Sequence, residues 1–92
     1  MRAGGDRRGN NRDRRLRKLW LLATFDTDLG PDAARCHLMV SDRCLGILDY
    51  ATVTTDRIML GGTYARENCR PSCAPCQSLQ GAMVTHGQWV TA

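Results

Sequence analysis

Two cysteines separated by two residues, Cys73-Ala74-Pro75-Cys76, constrain this chain more than any other feature. In 92 residues a hydrophobic core stays small, and domains of this size commonly need a metal or disulfides to hold together. Five cysteines supply the material, but five is odd, so full disulfide pairing leaves one thiol over. Nothing at the N-terminus has the form of a secretory signal, and the densest apolar run, residues 19–23, is too short for a signal core or a membrane span. The expectation is a reducing cytoplasm, no membrane, and thiols that serve as metal ligands rather than disulfide partners.

Tetrahedral Zn²⁺ takes four ligands, with sulfur at about 2.3 Å. The short gap lets Cys73 and Cys76 converge on one ion, so a second pair must come from elsewhere. Cys36 and Cys44 are the candidates, although their seven-residue gap is longer than a standard knuckle, and His37 is an alternative to one of them. Cys69, between Asn68 and Arg70, reads as a small buried apolar side chain. The plainer alternative is a reduced protein with buried thiols and no ion.

The net charge of +4 is unevenly placed. Residues 1–18 carry eight of the thirteen basic side chains against Asp6 and Asp13, a local charge of about +6, while the remainder is about −2. A polyanion is the natural target of such an arm, because each phosphate neutralised by a lysine or arginine releases a condensed counterion. The competing reading is a solvated tail.

Residues 1–12, rich in Gly, Arg and Asn, read as a disordered basic tail. A helix is expected over about 13–25, capped by Asn11 or Asp13, with Leu16, Leu19, Trp20 and Ala23 forming the core-facing stripe. Arg14, Arg15, Arg17 and Lys18 fall largely off that stripe and are the candidate nucleic-acid contacts. Residues 36–50 suit a loop or irregular hairpin. The β-branched run 52–58 is the clearest strand, Gly61 and Gly62 supply a turn, and residues 63–64 are expected to begin the return strand. A helix follows Ser72 to about Gln80, with Gly81 as its stop.

Together these segments read Asp56-Arg57, Gly61-Gly62-Thr63-Tyr64, Glu67-Asn68-Cys69-Arg70-Pro71 and Cys73-Ala74-Pro75-Cys76-Gln77. The combination resembles the HNH endonuclease family, in particular its phage-encoded members, over about residues 14–81. The resemblance implies a small α+β fold: a ββα-metal finger over about 36–81, braced by a four-cysteine zinc site and preceded by the basic helix, within one domain spanning 13–92. It implies a metal-dependent DNA endonuclease or nickase that hydrolyses phosphodiester bonds in a host bacterial cytoplasm, or a non-catalytic DNA-binding accessory module beside phage packaging or recombination proteins.

By the same resemblance Asp56 would ligate a catalytic divalent cation (Mg²⁺, Mn²⁺ or Ni²⁺), Asn68 would hold the loop that orients the base, and Gln77 would complete the cation site with a neutral amide oxygen. Arg57 stands where the family places its base histidine. A guanidinium offers only donors, so Arg57 can clamp a phosphate or a developing negative charge but accepts no proton. The base would then be His37, His86 or a metal-bound hydroxide. The bland reading of Asp56 is a strand-end acid paired with Arg57 or Arg66.

Overall fold

The computed structural model describes residues 11–59 and 62–89. The expectation for the tail therefore lies outside the described residues up to position 10, while Asn11 and Arg12 already belong to the first helix. The chain is a small α+β unit of two helices and two small antiparallel sheets. Helix α1 (Asn11–Thr24) leads through a 3-10 turn (Thr27–Leu29) to strand β1 (Ala34–Arg35). Strand β2 (Ile47–Leu48) returns along β1, pairing Ala34 with Leu48. Strand β3 (Thr54–Arg57) and strand β4 (Cys69–Ser72) form the second hairpin, and helix α2 (Ala74–Thr85) follows at once.

Three sequence expectations shift. The strand over 52–58 contracts to Thr54–Arg57, because Thr52 is taken by a turn in which its amide and hydroxyl both donate to the Asp49 carboxylate. The return strand is Cys69–Ser72 rather than 63–64, since a 3-10 turn at Arg66–Asn68 lengthens the connection. Gly81 does not stop α2; it adopts helical geometry, and the helix ends where Gly87 turns left-handed (φ 71°). There the Gln88 amide donates to Met83 O and the Gly87 amide to Val84 O, the paired bonds of a Schellman cap.

The core is built from Leu21 and Leu22 of α1, Ala34, Leu38, Leu48 and Val53, together with four buried cysteines. Trp20, Phe25, Tyr64 and Trp89 pack against it. The expected core stripe on α1 is rotated away: Leu16 and Leu19 are about half exposed and Ala23 is exposed. Leu21 and Leu22 set a different stripe, which recurs at Arg14, Arg17 and Lys18 and continues to the half-buried Phe25. The helix thus packs against β1, β3 and β4 with its cations turned along the domain rather than away from it.

Candidate functional site

Cys36, Cys44, Cys73 and Cys76 gather at the junction of the β1–β2 loop and the start of α2, with all four sulfurs within 4.8 Å of one another. A tetrahedral ion at about 2.3 Å from each sulfur needs mutual separations of roughly 3.8 Å. The Cys44 to Cys73 pair stands at 3.9 Å. Three of the four are buried and Cys44 is half-buried, so the site is closed to outside ligands, as a structural rather than a catalytic centre requires. The four thiols can hold a metal ion such as zinc.

Local backbone explains the convergence. The Cys36 amide donates to Gly46 O at 2.8 Å and closes the base of the loop, while Met39 takes a left-handed turn (φ 47°) and its amide reaches Cys36 Sγ. Cys73 is the N-cap of α2 and Cys76 lies one turn in, where the positive helix end favours a thiolate. At Cys76 burial opposes ionisation, but the Ser41 amide, the Cys73 thiol and the Val40 amide outweigh it and bring the pKa down to about 7. At Cys44 the Gly46 amide pulls downward, yet burial and the three neighbouring thiols push the pKa up to about 12. The Cys76 thiol thus ionises readily while burial and neighbouring thiols hold the protons on Cys44 and Cys73, which a dication reverses by binding the thiolates directly.

His37 lies outside the sulfur group, and its Nε2 donates to the Asp26 carboxylate at 2.8 Å. Cys69 is buried outside the sulfur cluster, as expected of an apolar filler, and burial pushes its thiol pKa up.

The hairpin carries the positions that the resemblance singles out. Asn68 clamps the β3–β4 connection: its Oδ1 accepts from the Met59 amide at 2.7 Å, and its Nδ2 donates to Met59 O and to Thr63 O. A Cβ at Gly62 would meet that amide nitrogen at 2.8 Å, so the loop closes only around a glycine. Asp56 is buried, 2% exposed, and pairs with neither Arg57 nor Arg66; Arg70, its partner across the hairpin, donates from Nε at 2.6 Å. Arg57 donates to Gly62 O and lies over the Tyr64 ring. Gln77 is turned to the strand, with Nε2 donating to Thr55 O and to Ser72 Oγ. Among the described residues the cysteine cluster is the one group of three or more His, Cys, Asp or Glu side chains close enough to share an ion. Neither His37 nor His86 forms such a group with Asp56.

The cations of α1 line a groove of about 290 Å³ whose opposite wall is β3: Arg14, Arg17 and Lys18 face Thr54, Thr55 and Tyr64, with Gln77 at the edge. No acidic side chain lines it. Arg15, grouped with the other three by sequence, is exposed and lines neither this groove nor its neighbour. Lys18 lies over the Tyr50 ring at 4.5 Å and Arg17 over Tyr64 at 4.6 Å.

Tyr64 and Arg70 stand within the motif segments but carried no assigned role in the sequence, and Tyr50 carried no signal at all. Arg70 was legible in principle, since placing the return strand at 69–72 sets it opposite Asp56. No helix among the described residues is long and apolar enough to cross a membrane. Comparison with protein-family models, with curated proteins and with solved structures gives no match.

Proposed function

We propose that this chain acts on the DNA backbone as an HNH-like, zinc-braced, metal-dependent endonuclease or nickase. The observation that carries the reading is the order of parts on one sulfur cluster: a knuckle loop, then a two-stranded hairpin with Asp56 on its first strand and Asn68 clamping its connection, then a helix bearing Cys76 and Gln77. Zinc would fix the base of this unit and supply no chemistry. Arg14, Arg17 and Lys18 would hold phosphate oxygens, and Arg57 would stabilise charge as the phosphodiester is attacked. Asp56 is a buried carboxylate whose partner is a guanidinium about one quarter exposed. A divalent cation arriving with a phosphate can take that partner's place, leaving Arg70 to pair with the phosphate. Water would be activated by the cation itself, because among the described residues neither histidine groups with Asp56.

A second reading, the same domain binding DNA without cutting it, is favoured by the Asp56–Arg70 pair as it stands. Supercoiled plasmid incubated with Mg²⁺, Mn²⁺ or Ni²⁺ separates the two. Nicking by the native chain that disappears in Asp56→Asn, with DNA affinity unchanged, supports cleavage. Salt-sensitive binding with no nicking in any of the three metals selects the binding module.

A further inference from the structure

Helix α1 is oriented so that the grooves on its two flanks differ in chemistry. The first, described above, presents three cations and no acidic side chain. The second, of about 250 Å³, is lined by Leu16, Trp20 and Tyr64 with Asp13 and Arg66 at its margin and Cys69 at its floor. The two share Arg17 and Tyr64, so they adjoin along one ridge. The first is chemically a phosphate site. The second mixes aromatic and aliphatic side chains with the charged Asp13, Arg17 and Arg66.

We infer that these paired grooves bind an unpaired strand of DNA, with a phosphate held by Arg14, Arg17 and Lys18 and the adjoining base inserted beside Tyr64 and Trp20. The inference rests on the proposed action on DNA and adds the form of the substrate.

One observation favours a single strand over a duplex. Cations and rings alternate along the surface: Lys18 on Tyr50, Arg17 and Arg57 on Tyr64, Arg66 on Trp20. A basic track interleaved with stacking platforms is how proteins hold unpaired nucleic acid, because every base offers a π-face and every phosphate a charge.

Fluorescence anisotropy on the zinc-loaded full chain tests this, using a labelled 15-nucleotide single strand and a hairpin duplex of the same sequence at fixed salt. The single strand is expected to bind at least tenfold more tightly. Tyr64→Leu should weaken single-strand binding by roughly tenfold, the scale of one lost base stack, with Tyr64→Phe near native. Tyr64 touches the core, so Tyr50→Leu, at a ring 42% exposed, provides a second variant with little risk to folding and should also weaken the single strand. Arg17→Gln should weaken it further than Arg15→Gln does. Equal or tighter binding of the duplex overturns the inference and leaves the DNA reading intact, as does single-strand affinity indifferent to both tyrosines. Failure of both nucleic acids to bind removes the two together.

Discussion

Removing the metal should unfold this protein, and the structure indicates by how much. All four ligands are thiols, three of them 0 to 1% exposed, and they join the β1–β2 loop to the start of α2. Structural zinc in small domains contributes roughly 10–16 kcal/mol at neutral pH, while the whole stability of a folded domain is about 5–15 kcal/mol. The first range matches or exceeds most of the second, so little folded population should survive in excess chelator. A matched pair of variants isolates the cause. Cys76→Ala removes a ligand and should abolish stoichiometric zinc together with the cooperative melt. Cys69→Ala removes an equally buried sulfur outside the cluster, creates a cavity about one atom in size, and should cost roughly 1–2 kcal/mol with zinc retained. Native mass spectrometry reads the stoichiometry and far-ultraviolet circular dichroism the melt. Retention of the native spectrum and melting temperature by fully stripped protein would refute the reasoning, as would equal behaviour of the two variants.

Asn68→Ala should cost about 1 kcal/mol by freeing the Met59 amide and the Thr63 carbonyl while Met59 O keeps the Gly62 amide, and hydrogen exchange at Met59 should accelerate while that at Leu21 follows only global stability. Asp26 carries an acid-sensitive part of the stability: burial acts against its ionisation, but hydrogen bonds from His37 and Arg35 overcome this and hold its pKa below 3.8. That stabilisation is complete above 3.8 and is lost as pH falls through the lower folded value. Asp26→Asn, which suits the left-handed backbone at this position (φ 53°), should lower the melting temperature near pH 6, with the gap to native closing in acid.

The sulfur cluster was legible because ligand spacing is a local property. Cys73 and Cys76 sit within one helical turn of each other whatever the rest of the chain does, and their need for two more thiols left few candidates. The contacts of Asn68 are local as well, with partners within nine residues, although the sequence singled it out only through the resemblance. The face of α1 was not legible. Two stripes compete on that helix, and hydrophobicity alone favours Leu16, Leu19, Trp20 and Ala23. Leu21 and Leu22 prevail because the hairpin and the knuckle meet the C-terminal half of the helix, a fact of tertiary packing. Arg70 escaped notice through a register error, since a return strand begun at 63–64 sets other residues opposite Asp56. Gly81 misled because a glycine stops a helix only where the backbone turns left-handed, and Gly87 is where it does.

The two halves of the sulfur set come from segments separated by nearly thirty residues, with the whole β3–β4 hairpin between them. During synthesis the growing chain holds only half a binding site until Cys73 and Cys76 leave the ribosome, so the knuckle cannot mature ahead of the hairpin. Nascent chains halted before residue 73 should therefore remain protease-sensitive with zinc present, and protection should arise in a single step once the last ligand emerges.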